Sequence, residues 1–322
     1  MTGNPSFDDI LELACRAPSV HNTQPWRWRV RGSWVDLFAD YRRQLVHADP
    51  ARRDLMISCG AALHHFQVAA AALGWSARVH RLPDASDERH IASIELSPAG
   101  ATHEAADLLK ALEARRTDRR RLASWPVPSD RLNGLASTGS AWGAQVLPVS
   151  ADSTKAHLQR LTAQARRVQE RNPEYGAELT AWTHASAAQG VPPSHLPRAA
   201  AAADEDPYAR FPSGDLDDPL LELEPSQDAM LLVCTSSDDV ISRVRAGEAL
   251  SAVWLRATQG SLSIVPLTQA VEVEETRREL QEEVLDDLAF PQAVLRVGWL
   301  PISRDELPPT PRRPLDEVVV GD

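Results

Sequence analysis

The strongest constraint on the fold is an order of elements that occurs twice along the 322-residue chain. In the first copy, a short amphipathic helix at 6–16 precedes a turn, a strand and a long helix at 57–73. In the second copy, a helix at 108–116 precedes a turn, a strand and a helix at 247–260. Both long helices open on Gly-x-Ala-Leu and end at a glycine. This repetition predicts two related units, 1–105 and 106–322.

Alternating apolar and polar residues predict the strands of both units. Ser6, with Asp9 three residues later, is typical of a helix N-terminus. Strands are expected at 26–30, 34–39, 76–80 and 91–96 in the first unit, and at 146–149, 262–265 and 293–299 in the second. The expected class is therefore α+β, with helices around mixed or antiparallel sheets.

Composition excludes several classes of partner. The net charge of −11 argues against nucleic acid, which requires a basic face. The first residues are polar, and no window approaches the roughly 20 apolar residues that a membrane span needs. These features predict a cytoplasmic protein. Three widely spaced cysteines indicate buried thiols, not disulfides, and the adjacent His64 and His65 point to different helix faces, so no metal site is expected.

The segment 17–26, Ala-Pro-Ser-Val-His-Asn-Thr-Gln-Pro-Trp, is the most specific string in the chain. Its two prolines fix φ and remove hydrogen-bond donors, while Ser19 and Asn22 can bond to nearby backbone. These residues predict a tight turn that leads into a strand.

The segment 115–121 contains five arginines in seven residues of an acidic protein. One interpretation is a solvated basic helix face. The other is a phosphate site, because the planar guanidinium binds phosphate oxygens in pairs. Arg115 and Arg119 are four apart, so a helix start would place them on one side, with Thr117 adding a hydroxyl.

These strings resemble the nitroreductase-like flavoproteins, whose Pro-Ser-x-x-Asn-x-Gln-Pro-Trp turn lies against FMN. Asp49-Pro50-Ala51-Arg52-Arg53 and the 57–63 segment narrow the resemblance to the actinobacterial Acg family of FMN-binding proteins, named as NAD(P)H nitroreductases. The resemblance implies a nitroreductase-like fold in which two tandem copies form a single-chain pseudo-dimer. It also implies that the chain is a monomer or a weak homodimer.

The resemblance implies one complete FMN site, made from the first turn and the second unit's arginines. The second turn, 139–147, keeps Ser140 and Gln145 but lacks the Asn, Pro and Trp of the motif. His21 is either a hydrogen-bonding turn residue or a catalytic candidate, although the flavin itself carries the redox chemistry. The implied cofactor-binding residues are Pro18, Ser19, His21, Asn22, Arg115, Thr117, Arg119, Pro266, Leu267, Arg312 and Arg313.

Residues 183–227 form an insertion that holds seven of the 24 prolines, a composition that forms neither long helix nor sheet. The segment is either a surface excursion or a lid over the site. Two functions therefore stay open. One is NAD(P)H-dependent reduction of nitro or quinone compounds, and the other is storage of a covered FMN with little turnover.

Overall fold

The computed structural model describes residues 6–183, 188–198, 210–211, 214–218, 228–301 and 305–321. Much of the predicted lid, 183–227, lies outside these ranges. What can be said of it concerns Thr183, 188–198, Arg210, Phe211 and 214–218.

The first unit follows the predicted order. Helix α1 is capped by Ser6, whose side chain accepts from the Asp9 backbone while the Asp9 carboxylate accepts from the Ser6 backbone, so the predicted capping is confirmed. The elements are α1 (Phe7–Ala14), β1 (Trp26–Arg31), β2 (Trp34–Ala39), α2 (Arg53–Ala72), β3 (Trp75–Arg81) and β4 (His90–Pro98), followed by α3 (His103–Ala114), which crosses the predicted boundary at 105/106 and overlaps the helix predicted at 108–116. Their strands form one antiparallel sheet in the order β1-β2-β4-β3.

The second unit repeats this topology. Its elements are α4 (Ser129–Ser140), β5 (Gln145–Val149), α5 (Asp152–Glu170), α6 (Pro173–Thr183), β6 (Ala229–Thr235), α7 (Val240–Gln259), β7 (Leu262–Pro266), α8 (Gln269–Glu272), α9 (Glu274–Leu285), β8 (Phe290–Trp299) and α10 (Leu315–Val318). The sheet order β5-β6-β8-β7 matches the first strand for strand. The α+β class and the tandem arrangement are therefore confirmed.

The two units meet where α2 crosses α7 at a pair of glycines. A Cβ on Gly60 would lie 2.0 Å from the carbonyl oxygen of Val244, and one on Gly247 would lie 2.0 Å from that of Ile57. Val244 precedes Gly247 by three residues, and Ile57 precedes Gly60 by three. The contacts are thus equivalent on both sides of a local pseudo-twofold axis, with backbone packed directly on backbone.

Helix α2 is long and apolar enough to cross a membrane by length and composition, which the sequence analysis overlooked. In the structure, 83% of its apolar window is buried inside the protein. It packs against α1, α3, α7 and the first sheet. The helix therefore serves as a core element of the fold.

Several element boundaries differ from the predictions. Helix α7 begins at Val240 instead of 247, because Asp239 caps it by accepting from the Ser242 backbone. Arg115 ends α3 in a non-helical conformation, so the predicted helix over Arg115 and Arg119 is wrong. The insertion is also longer than predicted. The β1–β2 hairpin turns within two residues, whereas 150–228, including α5 and α6, separates β5 from β6.

We expect Gly60→Ala and Gly247→Ala each to lower the free energy of unfolding by about 1–3 kcal/mol or more, since the added methyl meets a backbone carbonyl that cannot move alone. Urea unfolding followed by circular dichroism measures this. Gly134→Ala and Gly176→Ala are matched controls, because these helical glycines have open space and alanine favours helix. Equal stability of all four variants would contradict the crossing described here.

Candidate functional site

The turn between α1 and β1 has an unusual backbone. His21, Asn22 and Gln24 all have positive φ values, of 44°, 55° and 51°. Non-glycine residues adopt this region rarely, and each costs up to about 1–3 kcal/mol unless the surroundings hold it. Here the Gln24 N–H donates to Ser19 Oγ at 2.9 Å, and the Val20 N–H donates to Ser58 Oγ at 3.1 Å. The turn is thus fixed against α2 in a strained form.

Asn22 ties three distant segments together. Its Nδ2 donates to the carbonyl oxygens of Gly190 (2.9 Å) and Pro311 (3.0 Å), while its Oδ1 accepts from Arg312 (3.1 Å). Gln24 repeats the pattern by donating to the Ala188 carbonyl at 2.9 Å. These hydrogen bonds therefore anchor both the C-terminal tail and the start of the 188–198 segment to the turn.

Two arginines, Arg115 and Arg312, make one end of the adjoining pocket positive. Arg115 is 6% exposed, donates to the Arg16 carbonyl at 3.1 Å, and lies 4.8 Å from the Trp254 ring centroid. Burial, followed by the charge of Arg312, lowers the pKa of Arg115 to about 9. Burial also lowers the pKa of Arg312 to about 10.

Neither of these arginines has a carboxylate partner among the described residues, and Arg115 Nε has no hydrogen-bond partner there either. Arg312 is held by backbone carbonyls, including those of Cys15 (2.9 Å), Arg16 (3.0 Å) and Ala17 (3.1 Å). Arg115 is buried and Arg312 is half-buried, and two such adjacent cations without an anion are costly in isolation. The arrangement fits an anionic ligand group.

His21 lies further along the pocket, beside Arg119 and Phe211. The His21 and Phe211 rings meet edge to face at 5.2 Å, and the Arg119 guanidinium lies 4.9 Å from the Phe211 ring centroid. Burial, and then the charges of Arg210 and Arg119, hold the pKa of His21 well below its usual range. Its imidazole is thus neutral, and neither ring nitrogen has a partner in the described part of the chain.

The far wall carries an ion pair and a carboxyl group. Arg210 donates to both carboxylate oxygens of Glu272, at 2.7 and 2.8 Å, and to Thr268 Oγ1 at 2.9 Å. Asp54, in the first turn of α2, is 6% exposed. Burial, with Glu272 and Asp49 nearby, raises the pKa of Asp54 well above its usual range.

A pocket lies between the two units. Its empty space of about 920 Å³ includes open solvent. Its walls come from both units, with Ile57 and Ala61 on α2 facing Leu250 and Trp254 on α7. The polar groups above surround this apolar middle.

Most of the predicted site residues lie together. Nine line this one pocket: Pro18, Ser19, His21, Asn22, Arg115, Thr117, Arg119, Pro266 and Arg312. Leu267 is buried and borders a smaller adjoining cavity that shares Arg119 and Pro266. Arg313 lies elsewhere, with its backbone N–H on Gln24 Oε1 (2.9 Å) and its side chain on Glu317. The same pocket is lined by six further residues that no sequence motif indicated: Asp54, Ser58, Arg210, Phe211, Trp254 and Thr268.

Arg116 and Arg120, also in the 115–121 segment, bond to other groups of the protein and do not line the pocket. Arg116 donates to the Leu307 carbonyl at 3.1 Å, and Arg120 pairs with Asp118 at 2.7 Å. Only alternate residues of the run therefore line the pocket, which an extended segment allows and a helix would not.

The second turn preserves one local bond of the first. Ser140 Oγ accepts from the Val146 N–H at 3.1 Å, as Ser19 Oγ accepts from Gln24. Ser140 ends α4, however, so this turn is shaped by a helix end and not by two prolines.

Outside the pocket, His157, Glu279 and Glu283 place their ligand atoms within 4.8 Å of one another. Arg160 already bonds to Glu279, and His157 lies 3.5 Å from Glu283. Ordinary ion pairing accounts for this group.

A scan of protein-family models found none that matches the chain. Two Mycobacterium tuberculosis proteins resemble it along nearly their whole length. "Putative NAD(P)H nitroreductase Rv3131" is 42% identical over 318 residues, which cover 96% of this chain and 90% of that protein. "Putative NAD(P)H nitroreductase acg" is 37% identical over 311 residues, which cover 96% and 93%.

Solved structures are more distant. An FMN-bound nitroreductase from Bacteroides fragilis is 12% identical and covers 62% of this chain and 92% of its own, with a TM-score of 0.39. A nitroreductase-like protein from Anabaena variabilis is 12% identical and covers 83% and 69%, with a TM-score of 0.45. The two sequence relatives, in contrast, align along almost the entire chain.

We expect Arg115→Met to leave ligand-free protein as stable as the unmodified chain, or more stable by about 1 kcal/mol, because it removes a buried cation that has no counterion among the described residues. The same change should abolish most of the rise in Tm that inorganic phosphate produces. Differential scanning calorimetry with and without phosphate measures both effects. Arg78→Met, at a side chain 77% exposed, should change neither. A large loss of stability in ligand-free Arg115→Met would show that the guanidinium is structural.

Proposed function

Because the chain belongs to the Acg family of nitroreductase-like proteins, we propose that it binds one FMN in this pocket and acts as an NAD(P)H-dependent reductase of nitro or quinone compounds. The single observation that carries the proposal is that Arg115, which is buried, and Arg312, which is half-buried, have no carboxylate partner in the described chain and stand at one end of the pocket between the two units. The names of the two relatives support the reductase assignment.

The residues present fit FMN. The phosphate is a dianion that requires fixed cations and donors, which Arg115, Arg312 and the Thr117 hydroxyl offer. The flat ring requires apolar walls, which Ile57, Ala61, Leu250 and Trp254 provide. The two unpartnered nitrogens of His21 and the Ser19 hydroxyl supply polar contacts between those two regions.

When bound, the flavin supplies two-electron redox chemistry, accepting hydride from a nicotinamide and passing the electrons to an acceptor. The protein's task is to hold the cofactor and to control access. The strained turn gives Pro18 and Ser19 fixed positions, and Ser58 holds the turn on α2. His21 is neutral, so it can offer one hydrogen-bond donor and one acceptor without adding charge. Arg119 lies beside it and, in this proposal, faces the ring and not the phosphate.

We further propose that the two units act as the two subunits of a nitroreductase dimer joined in one chain. The equivalent sheets and the symmetric glycine crossing support this. Such a chain needs no second copy, so we expect a monomer or a weak homodimer in the cytoplasm.

A second candidate function is storage of a covered flavin with little turnover. It is favoured by the 188–198 segment and by Phe211, which reach the pocket. Val191 lines it, and the Phe211 ring packs on His21 at 5.2 Å. Since two planar molecules must occupy the space above the ring in turn, side chains already there oppose rapid hydride transfer.

The test between these candidates is the visible spectrum of the purified protein, followed anaerobically on addition of NADPH and then NADH. Reductase function predicts about one FMN per chain that bleaches within seconds. A flavin that stays yellow with both nucleotides, yet bleaches with dithionite, would indicate storage. Absence of any bound flavin, with none taken up from solution, would contradict the proposal.

Ser19→Ala should lower the FMN affinity about tenfold or more, because the pocket loses a polar contact to the cofactor. Adding Asn22→Ala should lower it further, because Arg312 and the Gly190 carbonyl lose their bonds to the turn. Fluorescence titration of FMN with flavin-free protein measures this. Ser140→Ala is a matched control that removes the same kind of turn hydrogen bond in the second unit. Loss of flavin in Ser140→Ala, with Ser19→Ala unaffected, would mean that the competent turn is the other one.

A further inference from the structure

The pocket is electrically polarised along its length. Arg312 is close enough for its charge to lower the pKa of Arg115. Both arginines border a second cavity at the α1 end of the pocket. Asp54 interacts instead with Glu272, Asp49, Arg53 and Arg210. Of these, Arg210 is already paired bidentately with Glu272. A phosphate dianion is therefore favoured at the arginine end, which orients a flavin with its ring toward Asp54.

Asp54 stands out at that end because its carboxyl group is not used by the fold. Its backbone carbonyl accepts from Ser58 Oγ at 2.6 Å, yet its side-chain oxygens make no hydrogen bond within the described ranges. Its neighbour Asp49 is different, since the Asp49 carboxylate accepts from the backbone of Arg53 (2.6 Å) and Leu55 (2.8 Å) and so caps α2. A side chain 94% buried at a pocket wall without a protein partner points to a ligand.

The ring of a flavin has one edge that matches a carboxylic acid. A protonated carboxyl presents a donor and an acceptor side by side. The imide edge of the isoalloxazine presents the complement, an N–H flanked by carbonyl oxygens. The opposite, dimethylated edge is apolar and suits the aliphatic walls instead.

Resting on the proposed function, we propose that Asp54, as a neutral carboxylic acid, binds the imide edge of the flavin ring through a pair of hydrogen bonds. Its hydroxyl donates a hydrogen bond to a ring carbonyl, and its carbonyl oxygen accepts one from the adjacent ring N–H. Asp54 is then a specificity residue for flavins and related imide rings. No covalent bond forms or breaks in this role.

The charges around Asp54 and its burial favour the neutral carboxyl group. The groups that face Asp54 are Glu272 on α8, Asp49 before α2, Arg53 on its own helix and Arg210. Two are acidic, Arg210 is engaged by Glu272, and Arg53 donates to the carbonyl oxygens of Val271 (2.7 Å) and Pro291 (3.1 Å). Burial adds to the preference for the protonated form.

The experiment compares FMN with 3-methyl-FMN, in which a methyl group replaces the imide proton, by fluorescence titration of flavin-free full-length protein. Wild type should bind 3-methyl-FMN at least about tenfold more weakly than FMN. Asp54→Ala should weaken FMN binding about tenfold and lose most of this discrimination. Asp54→Asn keeps one donor and one acceptor side by side, so it should bind FMN within a few fold of wild type.

The pH dependence gives an independent readout. Because only the protonated carboxyl can donate, wild-type affinity for FMN should fall as pH rises through the raised pKa of Asp54, while Asp54→Asn should lack that component. The FMN phosphate titrates near pH 6 in both proteins, so the difference between the two profiles isolates Asp54.

Equal binding of FMN and 3-methyl-FMN by wild type would overturn the inference, as would identical pH profiles for wild type and Asp54→Asn. Both measurements stand even where Asp54→Ala does not fold. Failure of wild type to bind either flavin is a different result, and it would reject the proposed function itself.

Discussion

The structure depends on the contact between α2 and α7 at Gly60 and Gly247. Because no side chain separates the helices there, the two units approach closely enough for one pocket to take its walls from both. The crossing also fixes where the next turns of each helix point. Four residues beyond the glycines, His64 and Ser251 meet at 2.8 Å, and Ser251 also bonds His65 at 2.9 Å, so both histidines are buried core residues held by Ser251. A larger residue at either glycine would therefore disturb the core and the pocket together.

Around this contact the pocket separates charges that would otherwise cancel. The C-terminal tail delivers Arg312 to one end, since the Val320 N–H donates to Trp28 on the edge of the first sheet at 2.7 Å. The α8 segment delivers Glu272 to the other end. The apolar middle of the pocket lies between these two ends. A ligand with one anionic and one neutral polar end gains from both.

Much of this arrangement could be predicted from sequence, because local rules governed it. The α1 cap and the first hairpin follow from short-range patterns, whereas strand β6 was not predicted and the sheet order depends on it. Arg115 lines the same pocket as the turn, although its backbone is extended where a helix was expected. Asp54 could not be recognised, because an aspartate in the first turn of a helix is ordinarily a solvated partner of the helix dipole. Glu272, whose charge helps to raise the pKa of Asp54, lies more than 150 residues away along the chain. Residues that act through such long-range packing leave no local pattern.

The unequal connections between corresponding strands have a wider consequence. Two residues link β1 to β2, whereas 150–228 link β5 to β6. In an assembly of two identical chains, any such addition would appear at both symmetry-related positions, and every mutation would be felt twice. Joining the copies removes that coupling. The second unit can then carry its long connection without a counterpart in the first, while Gly60 and Gly247 keep equivalent contacts on both sides of the crossing.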